Sequence, residues 1–366
     1  MSRFLTPLAA GLPSTVPFTG PETLERRTGI AFRARLGANE SLFGPSPKAI
    51  AAMREAAGGA WMYGDPENHD LKQALAAHHG VTPAHVAVGP GIDGLLGLVC
   101  RLVLAPGTPV VTSLGAYPTF NFHVAGYGGL LTRVPYKGDH EDPEALVSTA
   151  QSTGARLIYL ANPDNPMGSH HPAAVIEDMV ANLPEATLLI LDEAYADLAP
   201  EGTVPTIAAD HPQVIRMRTF SKGYGLAGAR VGYALTNPDL ALAFDKVRDH
   251  FGMNRIGQAG ALAALRDQDW LQSVQTRTGA ARLRLSAIAR ANGLQPLPSA
   301  TNFVTIDCGR DGDYARKLLA ELGALGVFIR MPGVAPLDRC IRISLGDDQT
   351  LDILEEVLPL AIKAAG

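Results

Sequence analysis

Six short apolar runs, several rich in β-branched residues, recur through the middle of the chain. They are HVAVG (85–89), TPVVTS (108–113), RLIYLAN (156–162), TLLILDE (187–193), VIRMRTF (214–220) and RVGYAL (230–235). Continuous runs of this length are the pattern of strands buried on both faces. Most are separated by segments of helical spacing or by Gly/Pro turns, and such alternation closes into a largely parallel sheet covered by helices on both sides. The fold class is therefore α/β. After about residue 265 the pattern changes to a long helical stretch (270–293), then ATNFVTIDC, a helix near 313–323, and the strand-like VFIR and RCIRISLG. This describes a smaller α+β unit. The first 37 residues are rich in turn formers and too few for a domain of their own, so they are expected to pack on that C-terminal part. The expected division is a large domain at 38–265 and a small domain formed by 1–37 and 266–366.

Charge and cysteine usage narrow the function. Lys plus Arg number 31 against 36 for Asp plus Glu, a net charge of −5, which gives no electrostatic reason to expect nucleic acid. Arg101 splits the most apolar stretch, LLGLVCRLVLA, and Pro7 and Pro13 interrupt the N-terminal one, so neither a membrane span nor a secretion signal is expected. Cys100, Cys308 and Cys340 lie far apart without a C-x-x-C pair. A reducing, cytoplasmic setting follows as the simplest expectation.

Two segments match the dinucleotide fingerprint, GPGIDG (Gly89, Gly91, Gly94) and GYGLAG (Gly223, Gly225, Gly228). The first leads to TPVVTSLGAY, which lacks the acid a ribose would need, and the second runs straight into RVGYAL with no space for a crossover helix. An oxidoreductase is thereby disfavoured. GPGIDG remains a plausible phosphate cradle, because a strand–Gly turn–helix start aims N–H groups and a helix dipole at an anion.

The remaining chemistry lies at strand ends. TFSKGYGLAGARVGY (219–233) sets Lys222 in a Gly-rich turn beside Ser221, with Arg230 eight residues on. A partly desolvated Lys has a lowered pKa and can form a Schiff base with an aldehyde, while Ser and Arg supply donors for a phosphate. A solvated loop Lys is the plainer alternative for this segment alone. TLLILDEAY runs a buried strand into Asp192, with Tyr195 three residues later. A carboxylate there can hold a pyridinium nitrogen protonated, or can simply cap a helix. In ANPDNPMG two prolines fix a turn that directs Asn165 toward the same edge, or form no more than an Asn-Pro turn. In RCIRISLG, Ile341, Ile343 and Leu345 alternate with Arg342, which faces away from their core side. An outward Arg is most often merely solvated.

With Asn165, Asp192, Tyr195, Lys222 and Arg230 in this order, the chain resembles the fold-type I pyridoxal-phosphate aminotransferases, and within them the histidinol-phosphate aminotransferase branch. The resemblance runs through RLGANESLFGPSP (35–47), YGDP (63–66), VGPGID, YPTF, NPDNPMG, DEAY and SKGYGLAGARVGY to TNFVTI and RCIRISLG, nearly the whole chain. It implies pyridoxal 5'-phosphate as cofactor, with Lys222 forming the Schiff base, Asp192 pairing with the ring nitrogen, Tyr195 and Asn165 bonding the ring hydroxyl, and Tyr117 stacking on the ring. Phosphate would be held by Ser221, Arg230, and the turn at Gly91 with the N–H groups of Ile92 and Asp93. Tyr63 would reach across from a second subunit, implying a homodimer. Arg342 and Arg330 would clamp the substrate's carboxylate or phosphate, with Asn39 and Asn165 also at the substrate. The implied activity is ping-pong transfer of an amino group between an amino acid, or histidinol phosphate, and a 2-oxo acid.

Gly64 stands where this branch usually has Pro, and Met167 where it usually has Thr. The nearest rival activity is decarboxylation of a phosphorylated amino acid at the same site. A cofactor-sensing regulator would need a DNA-binding domain that 37 residues cannot supply. The pairs His78–His79 and His170–His171 show no metal-ligand spacing and are expected to be solvated or capping.

Overall fold

The computed structural model describes residues 3–13 and 18–366. Seven strands form the central sheet in the order Val86–Gly89, Gly232–Leu235, Val214–Thr219, Leu188–Asp192, Leu157–Ala161, Pro109–Ser113 and Leu130–Val134. All run parallel except Gly232–Leu235, which is antiparallel to both neighbours. The connection before that strand holds only the short 3-10 turn Ala227–Ala229, so the chain returns antiparallel rather than crossing over. The seventh strand, LLTRV, is absent from the sequence reading. It is an edge strand with Leu130 and Arg133 exposed, and therefore lacks the continuous apolar signature of its buried neighbours.

Alternation along the strands decides what each face carries. Leu188 and Ile190 pack with Leu95, Leu96 and Phe120 from helices Gly91–Val103 and Pro118–Gly126. Leu189 and Leu191 pack on the other face against Leu146, Ile176 and Met179, from helices Pro143–Thr153 and Ala173–Ala181. Asp192, in register with Ile190, thus ends its strand on the face where helix Gly91–Val103 begins. Helices Pro47–Ala57, His69–His79 and Arg255–Leu265 add a further layer over Val86, Val88, Phe220 and Tyr233.

A second core gathers the C-terminal residues. Strands Cys340–Ser344, Phe303–Asp307 and Gln295–Pro296 form an antiparallel sheet. Helix Gln268–Ala291 buries Leu271, Val274, Thr278, Ala281, Leu285 and Ile288, one stripe at helical spacing. Ala34 and Leu36 lie in the same core as Leu285, Val304, Ile341 and Leu354. Residues 34–35 also form a parallel pair with Val327–Phe328. Of the N-terminal segment, residues 1–2 and 14–17 lie outside the described residues.

Two of the four paired histidines depart from the solvated or capping expectation. His79 is half-buried with Nε2 at 2.9 Å from the Tyr233 hydroxyl. His171 is half-buried with Nε2 at 2.8 Å from the Glu141 carbonyl. In each case the ring finds a protein partner that sequence spacing alone does not show.

Candidate active site

Two adjacent acids end the Leu188–Asp192 strand, and their surroundings treat them differently. Glu193 is buried against the guanidinium groups of Arg216 at 2.8 Å and Arg218 at 2.9 Å. Burial opposes its ionisation, but Arg218 and Arg216 together hold it below the usual carboxylate range. Asp192 is buried without any ion pair among the described residues. Its Oδ2 accepts the Tyr159 hydroxyl at 2.8 Å and its Oδ1 the Ala194 N–H at 2.9 Å. Burial raises it to about 6, against the hydrogen bonds that favour the anion. A buried acid offered only neutral donors suits a cationic partner, and it faces a cavity of about 230 Å³ that also holds Lys222, Tyr195, Asn165, Tyr117, Ser221 and Arg230.

Lys222 follows the strand Val214–Thr219 and donates from Nζ to the Asn39 carbonyl at 2.9 Å. Burial, then the positive charge of Arg342, lowers its amine to about 8, while Glu40 and Asp192 pull the other way. Its Nζ lies 5.5 Å from the centroid of the Tyr195 ring. Tyr195 accepts from Asn39 Nδ2 at 3.0 Å and meets Phe303 edge-on at 5.5 Å. Asn39 holds a left-handed backbone (φ 55), fixed by Ser344 and Asn302 through three hydrogen bonds of 3.0 Å.

The far end of this cavity fits a phosphate. Helix Gly91–Val103 starts there with Gly91 at φ +78, and a Cβ on Gly91 would lie 2.5 Å from Arg230 Nη2. Only glycine admits both that backbone and that guanidinium. Arg230 itself is left-handed and reaches Ser221 Oγ at 3.5 Å and the Pro90 carbonyl at 3.4 Å. Ile92 and Asp93 open the helix, so their N–H groups are the free donors of its first turn. The Asp93 carboxylate does not enter this cradle as a competing anion, because it lies 2.9 Å from His123 Nε2.

A second cavity of about 740 Å³ adjoins the first and shares Lys222, Tyr117 and Asn165 with it. Arg342 lines it, and is 8 % exposed rather than solvated. Its polar face turns from the Ile341/Ile343 core into the cavity, where it donates to Asn165 Oδ1, and to the Gly37 carbonyl at 3.2 Å. Burial, reinforced by Arg330, brings its pKa down to about 10. Arg330 pairs with it through the backbone and donates to the Thr19 carbonyl at 2.9 Å. The lining holds Arg133, Arg330, Arg342 and Lys222 and no carboxylate.

Lys222, Asp192, Tyr195, Asn165, Tyr117, Ile92, Asp93, Ser221, Arg230, Asn39, Arg330 and Arg342 therefore gather around two joined cavities. Tyr63 does not. It is exposed, stacked on Phe251 at 4.4 Å, away from either lining. Phe18, Asn121 and Arg133 also line the larger cavity, with no motif in the sequence to mark them. Arg133 sits on the strand that carried no clear signal, and Asn121 and Phe18 are of ordinary types in unremarked positions. The two departures in sequence have local causes. A Cβ on Gly64 would meet Gln258 Nε2 at 2.6 Å and the Met253 carbonyl at 2.8 Å, and Met167 fills an apolar cluster with Leu297, Leu337 and Cys340.

An ammonium poised to lose its proton, facing an uncompensated buried acid across a cavity that ends in an anion cradle, fits the α/β class of pyridoxal-phosphate-dependent enzymes. The family model for aminotransferase class I and II matches residues 34–358. A histidinol-phosphate aminotransferase of Nitrosococcus oceani is 35 % identical over 98 % of this chain and 98 % of its own. The crystal structure of histidinol-phosphate aminotransferase from Sinorhizobium meliloti, in complex with pyridoxal-5'-phosphate, is similar at a TM-score of 0.97 and 56 % identity, covering 100 % of this chain and 99 % of that one. Aspartate aminotransferase from Thermus thermophilus shares the fold, at a TM-score of 0.82 and 21 % identity over 98 % and 100 % of the two chains. The chain belongs to the class I and II aminotransferases, and it is a pyridoxal-phosphate-dependent enzyme.

Proposed function

We propose that the amino donor carries an acidic group held by Arg342 and Arg330, with histidinol phosphate as the first candidate and an amino acid as the second, and that a 2-oxo acid accepts the amino group. Pyridoxal phosphate supplies an aldehyde that joins an amine and a protonated ring that draws electrons from Cα. Asp192 would pair with the ring nitrogen, Tyr195 and Asn165 would bond the ring hydroxyl, and Tyr117 would stack on the ring. Ser221, Arg230, Gly91 and the N–H groups of Ile92 and Asp93 would hold the phosphate. Lys222 Nζ, held against the Asn39 carbonyl, would carry the proton from Cα to the neighbouring carbon.

The observation that carries this reading is the larger cavity, acid-free and continuous with Lys222, in which Arg342 is buried and aimed inward. The test is a half-reaction screen. Purified holoenzyme is mixed with histidinol phosphate or single amino acids, and loss of the aldehyde absorbance is followed. Rapid conversion by histidinol phosphate supports the donor assignment, and conversion only by donors without an acidic group refutes it. Release of carbon dioxide in place of a keto product would show a decarboxylase.

The same reading includes a cytoplasmic homodimer built of a large unit (38–265) and a small unit (1–37 and 266–366). Three buried, unpaired cysteines accord with a reducing setting, and no helix among the described residues is long and apolar enough to cross a membrane. The exposed aromatic residues Trp61, Tyr63 and Phe251 would give a second copy an apolar surface to cover, which supports the reading that Tyr63 serves the partner's site. Sedimentation of wild type against Tyr63→Ala tests the dimer, and cofactor affinity of the same variant tests the entry of Tyr63.

A further inference from the structure

Beneath the turn that carries Asn165 lie two carboxyl groups to which the chemistry above gives no part. Glu141 and Asp164 are each 2 % exposed. Glu141 Oε2 accepts the Ser113 hydroxyl at 2.5 Å and its Oε1 accepts the Ala161 N–H at 3.0 Å. Asp164 Oδ1 accepts the Tyr136 hydroxyl at 3.1 Å and its Oδ2 accepts the Met167 N–H at 3.0 Å. The two carboxyl groups lie close enough for the charge of each to act on the other. Every donor to the pair is neutral, and neither acid forms an ion pair among the described residues. Two bare carboxylates cannot face each other in such a place, so one proton must stay between them. Burial pushes both groups up, and the charge of Asp164 adds to the rise at Glu141. The titratable and charged groups around the pair are Tyr136, Asp192, Arg342 and His171, whose Nε2 meets the Glu141 carbonyl, with the His140 ring tilted against that of His171 at 5.5 Å.

The contacts of this pair explain what it does. Ser113 and Ala161 close two neighbouring strands of the central sheet, so Glu141 ties their carboxyl ends together. Asp164 closes the turn above, with its N–H on the Ser169 carbonyl at 2.8 Å and its carbonyl taking the Gly168 N–H at 3.1 Å. Thr305 Oγ1 pins the same turn through the Pro166 carbonyl at 2.6 Å. Asn165, the residue between, holds Arg342. We propose that Glu141 is a positioning residue: as a neutral acid donating a hydrogen bond to Asp164, it locks the 162–168 turn and so sets Asn165 against Arg342.

Glu141→Gln keeps the shape and a donor and cannot ionise, whereas Glu141→Leu removes both. The first readout is the melting temperature of cofactor-free protein as a function of pH. A folded-state pKa above the unfolded one, about 4.3 for Glu, means that stability is full below the unfolded value and is lost as pH rises toward the folded one. The glutamine variant lacks this loss. Its melting temperature is expected to gain on wild type steadily as pH rises above the unfolded value. A constant gap would show that Glu141 holds no proton and would overturn the proposal.

The second readout, on holoenzyme, rests on the reading of Arg342 as the anchor of the substrate's acidic group. With histidinol phosphate, wild type is expected to show a rise in KM toward alkaline pH, and Glu141→Gln is expected to keep kcat and KM near wild type at neutral pH and to escape that rise. Glu141→Leu raises KM throughout. Equal damage in both variants at neutral pH would overturn the positioning role. If histidinol phosphate is not turned over, the donor assignment fails while the melting comparison still decides the state of Glu141.

Discussion

Tyr159 donates its hydroxyl hydrogen bond to Asp192 Oδ2 at 2.8 Å, from the neighbouring parallel strand and two register pairs back from Ala161, which faces Asp192. Tyr159 is fully buried and stacked on Phe120 with ring centroids 4.7 Å apart, so the donor cannot swing away. It keeps the acid's second oxygen ordered while the first is taken by the Ala194 N–H. Tyr159→Phe keeps the stack and removes only this bond. A lost hydrogen bond to a buried charged group costs about 1–3 kcal/mol, so cofactor affinity is expected to fall by roughly tenfold or more, with kcat reduced in parallel. Titration of cofactor-free enzyme with pyridoxal phosphate checks this.

Gly91→Ala places a methyl group 2.5 Å from Arg230 Nη2 at a backbone φ of +78. Strain of about 1–2 kcal/mol from the left-handed conformation adds to displacement of the guanidinium from the cradle. Weaker binding of pyridoxal phosphate is expected, with little change in binding of the dephosphorylated pyridoxal. Equal losses for the two ligands would detach Gly91 and Arg230 from the phosphate.

Lys222 in the cofactor-free protein titrates near 8 because burial and Arg342 disfavour its charge. Only the neutral amine attacks an aldehyde, so the rate of cofactor capture is expected to climb with pH and level off above about 8, instead of climbing toward the ordinary lysine range near 10.4. Arg342→Leu removes the nearby cation and is expected to move that midpoint upward. Stopped-flow absorbance over a pH series measures both.

Arg342→Leu also strips the larger cavity of its buried anion clamp. Breaking a buried charged contact costs about 2–5 kcal/mol, so KM for an acidic donor is expected to rise by about two orders of magnitude or more, while a donor without an acidic group is little affected. Arg133→Ala, at an exposed position on the rim, is expected to cost less than about fivefold, within the range of a solvent-screened pair. Steady-state kinetics with the two donors separate the cases.

The parallel sheet and most of the candidate site were legible because each chemical residue sits in or beside the turn that ends an apolar run, as Asp192 does after TLLIL and Lys222 after VIRMRTF. Strand alternation also set Arg342 opposite Ile341 and Ile343. What lies opposite was not legible, because nothing in RCIRISLG shows that the outward face meets Asn165 and a cavity rather than water. The edge strand with Arg133 escaped notice because a half-exposed strand mixes polar and apolar residues. The Glu141–Asp164 pair joins residues 23 apart in sequence through a contact between two loops, which no periodicity encodes.

The most direct measurement is borohydride reduction of the purified holoenzyme followed by peptide mass mapping. The expected result is a single pyridoxyl adduct on the peptide containing Lys222, with adduct and turnover both lost in Lys222→Ala. An adduct on another lysine, or amino transfer that survives in that variant, would contradict the assignment of Lys222 as the residue that binds the cofactor and moves the proton.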